Sequence, residues 1–267
     1  MKTVIDFHCK DRYDIEDLKR IMELLRAPDG CPWDREQDHH SIRRNLLEEA
    51  YEAAEAIDLE DYDLLKEELG DVLLQVIFHA RIAEEAGRFN FADVVDGVSQ
   101  KLVYRHPHVF GTVEAHSSDG AITTWEAQKQ VEKGQKTAGD TLDAVARSLP
   151  ALMRADKIQS KARKVGFDWD NIGPVLDKIS EETEELKQAV REDSNVEEEL
   201  GDLLFVAAKA GHFLGVDSEL ALHAACEKFI RRFRAVEAMA DKPMQEMGLP
   251  ALEELWRKAK ALEQQDT

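Results

Sequence analysis

Glu181-Glu182-Thr183-Glu184-Glu185, followed by Glu198-Glu199-Leu200-Gly201-Asp202, is a pattern that this chain contains twice. The other copy is Glu48-Glu49-Ala50-Tyr51-Glu52, followed by Glu67-Glu68-Leu69-Gly70-Asp71. The correspondence extends outward on both sides. Trp33-Asp34 precedes the first copy as Trp169-Asp170 precedes the second, and Lys101-x-x-x-Arg105 follows the first as Lys228-x-x-x-Arg232 follows the second. Order is kept while the connecting segments shorten, and two copies of one module explain this most simply.

Apolar residues around the acids recur at helical steps. Leu47, Ala50, Tyr51 and Ala54 do so beside the first copy, then Leu69, Val72, Leu73, Val76 and Ile77. Ile15, Leu18, Ile21, Met22 and Leu25 form an earlier stripe; Leu200, Leu203, Leu204 and Ala207, then Phe229, Phe233 and Val236, form later ones. No run of alternating β-branched residues reads as a strand. The expected fold is all-α, built from tandem helical-bundle modules. His106 to Gly111 opens an expected loop ending near Ser117-Ser118-Asp119-Gly120. Residues 129–140, with Gly134 and Gly139 among polar residues, read as a linker between modules at 1–128 and 141–267.

Composition narrows the function. With 267 residues, 43% hydrophobic, there is material for a substantial core. The formal charge of −20 disfavours bare phosphate backbones and anionic membrane surfaces, so neither nucleic acid nor membrane is an expected partner. A polyphosphate ligand would need divalent cations or a local basic cluster. Cys9, Cys31 and Cys226 form no C-x-x-C pair, which argues against a disulfide scaffold or structural zinc. Met1 to Asp6 carries an acid where a signal peptide needs apolar residues, and Val72 to Ala83 is interrupted by Gln75, His79 and Arg81. A cytoplasmic protein is expected.

A single Glu-Glu pair on a helix is ordinarily a solvated face. Here Glu182 and Glu185 are three apart and Glu181 and Glu185 four apart, so their carboxylates share one side; Glu199 and Asp202 pair likewise on the next helix. Arg191 to Asn195 supplies a polar turn between them. Crowded, partly buried carboxylates repel, and a hard divalent cation removes that cost. Oxygen-only donors favour Mg²⁺, with Mn²⁺ as a substitute, over zinc. Glu48, Glu49, Glu52, Glu55, Glu68 and Asp71 could form a second such site. A di-iron bundle would require Glu-x-x-His on two core helices, and the one such spacing, Glu36-x-x-His39, adjoins the Cys31-Pro32-Trp33 turn.

The ordered set resembles the MazG-type nucleoside triphosphate pyrophosphohydrolases of the all-α NTP pyrophosphatase group, in their two-copy form. Cys31-Pro32-Trp33-Asp34, Arg105 to Gly111, Leu149 to Met153, Val165 to Trp169 and Glu227 to Phe233 also agree, so the resemblance spans nearly the whole chain. It implies Mg-dependent hydrolysis of NTPs, ATP included, to NMP and pyrophosphate. Metal ligands fall on Glu182, Glu185, Glu199 and Asp202, with Glu181 and Glu198 alongside. Nucleotide contacts fall on Lys178, Lys228, Arg232 and Trp256, with Asn195 also at a substrate-binding position. Asn195 and Cys226 stand where the family commonly has Lys and Asn.

The chemistry of these residues suits the roles. Lys178 precedes Glu181 by three residues, Lys228 and Arg232 offer two cations four residues apart, and Trp256 could stack on a base. Each also has an ordinary reading, Lys228 and Arg232 as a surface pair and Trp256 as core. Trp33 and Trp169 read as buried anchors, His106 and His108 as loop or interface residues, and His39-His40 as solvent-exposed. Glu181, Glu182 or Glu198 would activate water, and sequence does not choose among them. Lys178 has Asn45 as its counterpart in the first copy, so the second copy is expected to be catalytic. No G-x-x-x-x-G-K-[ST] loop supports a P-loop ATPase. A homodimer is expected, and the rival reading is a non-catalytic acidic scaffold for a basic partner.

Overall fold

The computed structural model describes residues 7–113 and 117–264; the Met1 to Asp6 stretch lies outside them. The described residues are helical with no strand, and the chain forms two compact units, Met1–Lys129 and Gln130–Thr267. None of their helices is long and apolar enough to cross a membrane.

In the first unit, α1 spans Ile15–Arg26, α2 Pro32–Glu36, α3 Arg43–Asp58, α4 Tyr62–Glu85, α5 Phe91–Arg105 and α6 Pro107–Phe110, while α7, Ser118–Glu132, begins in it and ends three residues past its boundary. Asp14 starts α1 with a capping box, accepting from the Glu16 and Asp17 amides while the Asp17 carboxylate takes the Asp14 amide. Asp61 caps α4 by accepting from the Asp63 and Leu64 amides, and Glu60, at φ 53°, turns the chain between α3 and α4. These two helices form the unit's most extensive packing. Met22, Ile42, Ile77 and Phe78 make its core, with Leu18, Leu74, Ile82 and Phe91 against them.

Arg26 anchors this unit. Its buried guanidinium donates to the Gln37 carbonyl at 3.1 Å, to the Asp34 carbonyl, and to both Glu85 oxygens, at 2.8 Å for the shortest contact. It also lies 5.4 Å from the Phe78 ring centroid. The Cys31-Pro32-Trp33 turn is thereby tied to the long helix α4.

The second unit contains α8 (Ala138–Asp143), α9 (Ala151–Arg163), α10 (Ile172–Glu192), α11 (Val196–Leu214), α12 (Ser218–Met239) and α13 (Leu249–Glu263). The α10–α11 hairpin repeats the α3–α4 hairpin, closed by Asp193 and Asn195 at φ 52° and 50°. After glycine, Asn and Asp tolerate that left-handed conformation best, so the polar turn is used for geometry. It is shorter than the sequence suggested, because α10 continues through Glu192. Val175, Ala189, Val206, Ala208 and Val236 are buried.

Two punctuation points differ from expectation. Pro107–Phe110 is one helical turn rather than open loop, because Pro at the first position presets φ. The stretch read as linker is helical at both ends: α7 continues to Glu132 and α8 begins at Ala138, where Thr137 and Asp140 form a capping box. Only residues 133–137 between them are non-helical.

Candidate active site

The hairpin of the second unit brings its acids together. One carboxylate oxygen each from Glu182 on α10 and Glu199 and Asp202 on α11 lie within 4.8 Å of one another. Glu182 is only 5% exposed, Glu199 half-buried and Asp202 exposed, so the cluster opens to solvent on one side. Lys178, one turn earlier on α10, places its ammonium 2.7 Å from Glu182 and 2.8 Å from Glu181. These contacts raise the Lys178 pKa, so it stays cationic. Glu185 stands on the same face; desolvation pushes its pKa up, as do Glu182 and Glu181, while Lys178 pulls it down.

Glu198 is exposed in the first turn of α11, where helix polarity favours an acid, but it is not one of the clustered three. Asn195 supplies the turn and makes no side-chain cap hydrogen bond. Lys228 is exposed on α12. Arg232 gives its Nε to Glu263 at 2.6 Å, and the Trp256 ring is half-buried, 5.1 Å from Phe229. Two of the expected nucleotide contacts are thus engaged within the chain.

The first unit holds a matching group in Glu49, Glu68 and Asp71, again with donor oxygens within 4.8 Å. All three are half-buried. Desolvation raises the Glu49 pKa, followed by Asp71, Glu52 and Glu68; desolvation also raises that of Glu68, followed by Glu52 and Asp71. Glu48 is drawn off to Arg44 at 2.6 Å. No lysine stands where Lys178 does in the other copy, since Asn45 occupies that place. Hard oxygen donors at this spacing fit a divalent cation of the Mg²⁺ class in both units.

Several residues have environments that sequence reasoning missed. His39 is not solvent-exposed: its Nδ1 lies 2.9 Å from the Nδ1 of His79, with the rings stacked, and only His40 is exposed. Burial, then His39, lowers the His79 pKa. Trp33 and Trp169 are not buried anchors, being 56% and 41% exposed. Beside Trp169, Lys209 is 6% exposed and pairs with Asp168 at 2.6 Å. Buried acids and bases a few residues outside a motif leave no periodic mark, so only contacts reveal them.

The model of the MazG nucleotide pyrophosphohydrolase domain matches residues 37–110 and 174–236, and these segments contain both hairpins' acids. This chain belongs to the MazG nucleotide pyrophosphohydrolase family. It is 47% identical over 257 residues to the nucleoside triphosphate pyrophosphohydrolase of Escherichia coli K12, covering 93% of this chain and 98% of that one. It is 46% identical over 248 residues to the nucleoside triphosphate pyrophosphohydrolase/pyrophosphatase MazG of Thermotoga maritima, covering 92% and 95%. An uncharacterized Bacillus subtilis protein, YabN, is 41% identical and is matched over 52% of its length. The family's domain thus occurs twice in this chain, once per structural unit.

Proposed function

We infer that this MazG-family chain is a nucleoside triphosphate pyrophosphohydrolase, converting an NTP or dNTP and water to the nucleoside monophosphate and pyrophosphate, with its main active site on the α10–α11 hairpin. The observation that carries this reading is the buried Glu182 converging with Glu199 and Asp202 while Lys178 stands against it. Uncompensated, such a cluster is costly; as a cation site it is compensated.

Glu182, Glu199 and Asp202 would hold Mg²⁺, with Glu185 beside them and Mn²⁺ as a substitute. A bound divalent cation supplies charge neutralisation for the triphosphate, which a −20 chain otherwise repels. Lys178 holds the Glu181 and Glu182 carboxylates in place. Water attacks the α-phosphorus, the bond from that phosphorus to the bridging oxygen breaks, and pyrophosphate leaves. The water's proton passes to a glutamate of this group, Glu181, Glu182 or Glu198. Lys228 and Arg232 supply positive charge for the departing pyrophosphate once Arg232 exchanges Glu263 for it.

The Glu49, Glu68 and Asp71 group is a second cation site, weaker in catalysis for want of a lysine at position 45. Two chains form the working enzyme. Leu200 and Leu204 on α11, Phe229 and Phe233 on α12, and Leu47 and Tyr51 on α3 are apolar stripes left exposed within each unit, and a second copy would cover them. Light scattering on the wild type and Leu204→Glu tests this: a dimer and a weakened dimer are expected.

The deciding assay incubates the protein with Mg²⁺ and a panel of NTPs and dNTPs and resolves the products. NMP with pyrophosphate is expected. NDP with phosphate would indicate another reaction, and no turnover would leave the acidic scaffold reading.

A further inference from the structure

Glu263 closes α13, and its carboxylate is divided between two arginines of α12. Oε2 accepts from Arg232 Nε at 2.6 Å, and Oε1 accepts from Arg231 Nη2 at 3.3 Å. The Arg232 side chain is mostly buried, at 19% exposure, while that of Arg231 is largely exposed. The Arg232 hydrogen bond, ahead of every other influence, holds the Glu263 carboxyl below the ordinary carboxylate range, so it stays ionised. One oxygen to each of two guanidinium groups is also how an arginine pair takes a phosphate. The two arginines therefore make an anion site, and the anion that fills it belongs to the same chain.

The setting of Glu263 points the same way. An acid in the last turn of a helix opposes the helix dipole, which favours cations there. Ala259 is the last buried residue of α13, and residues 260–262 are exposed. The end of the helix is thus held by charge rather than by apolar packing. An ion pair so close to solvent is weak enough to exchange. Trp256, seven residues earlier on the same helix face, packs on Phe229 at 5.1 Å. With that ring in place α13 stays on α12 when Glu263 lets go, and only its final turn has to move.

We propose that Glu263 is an internal competitor for the phosphate groups of the nucleotide: it occupies Arg232 in the empty site, is displaced when the triphosphate binds, and on its return helps pyrophosphate leave. A ligand that must displace such a partner binds more weakly, in proportion to how rarely the arginine is free. The assignment rests on the pyrophosphohydrolase reading, in which Arg232 receives the leaving pyrophosphate, and the tests separate the two.

Steady-state kinetics of the full-length protein with Mg²⁺ compare wild type with Glu263→Gln, which keeps the size and removes the charge. Glu263→Gln should lower the KM for the best NTP about threefold or more, and the inhibition constant of pyrophosphate by a similar factor. In the Arg232→Gln background the same change should bring no gain, since the competitor then guards nothing. A merely structural Glu263 would lower Tm and leave both constants unmoved, and one that aims Arg232 at substrate would raise KM. Either result overturns the proposal while the pyrophosphohydrolase stands. Should Glu263→Gln fold poorly, Glu263→Ala suits a helix and removes the carboxylate by another route.

A second readout needs no turnover. Calorimetric titration of the full chain with pyrophosphate in the presence of Mg²⁺ should show tighter binding to Glu263→Gln than to wild type. Equal affinities, or no binding to either, overturn the competitor role. If no NTP yields pyrophosphate, the functional reading fails and this titration decides the Glu263 assignment alone.

Discussion

Replacing Glu182 by Gln keeps the shape of the hairpin and removes one of its three clustered charges. Without metal, little stability is lost. Like charges 4.8 Å apart repel by about 3.5 kcal/mol per pair at an effective dielectric near 20, and closer ones by more, so neutralisation relieves two repulsions while losing the Lys178 contact. Lys178 still has Glu181 at 2.8 Å. Metal affinity is the quantity that falls. Losing one anionic donor of three lowers it about 100-fold, or ~2.7 kcal/mol.

At a Mg²⁺ concentration of about 100 times the wild-type Kd, linkage stabilises the wild-type unit by ~2.7 kcal/mol and the variant by ~0.4. For a unit of this size the difference is about 7 °C in Tm. The assay is a thermal melt with and without Mg²⁺ on wild type, Glu182→Gln and Glu49→Gln, paired with pyrophosphate release. Glu182→Gln should lose the Mg²⁺-dependent shift of the second unit and at least about 100-fold in turnover. An equal Mg²⁺ shift in wild type and Glu182→Gln would refute the cluster as a cation site. Loss of turnover in Glu49→Gln with Glu182→Gln still active would move the catalytic centre to the first unit.

Other expectations follow from single contacts. The depressed pKa of His79 means that the folded chain resists a proton the unfolded chain takes up, so the stability it contributes is present above pH 6.5 and lost as pH falls from there towards the folded value. His79→Gln should flatten that slope in pH-dependent denaturant melts. A Cβ at Gly211 would collide with Ser218 Oγ and lie 2.8 Å from the Val216 carbonyl, so Gly211→Ala should cost about 1–3 kcal/mol in chemical denaturation. At Gly201 a Cβ meets nothing within 4 Å, and Gly201→Ala should stabilise the isolated helix pair by about 0.5–1 kcal/mol. Lys178→Met should lower kcat, measured as pyrophosphate release, by about tenfold or more.

The sequence carried the helical architecture because apolar residues at three- and four-residue steps mark helices directly, and the duplicated acids marked both hairpins. Glu182, Glu199 and Asp202 were legible since their spacing sets the face each occupies once the turn at 193–195 reverses the chain. Other features were not. Leu204 and Phe229 belong to core-like stripes, yet both are exposed within their unit, and periodicity does not say which apolar face meets its own unit. The Glu263 carboxylate beside Arg232 and the His39–His79 contact join residues 31 and 40 positions apart, a separation at which no local pattern registers.

The tryptophan turns are held by different chemistry in the two units. Arg26 grips main-chain carbonyls and Glu85 in one, and Lys209 meets Asp168 in the other. By the spacing of the duplicated acids, Phe78 occupies the place of Lys209. A chimera carrying the 165–170 turn in the first half would therefore set a carboxylate against a benzene ring whose neighbouring cation, Arg26, is already engaged by main-chain carbonyls and Glu85. Recombination between the halves of such a gene would be penalised at that step, which would let the two modules diverge after duplication instead of being homogenised.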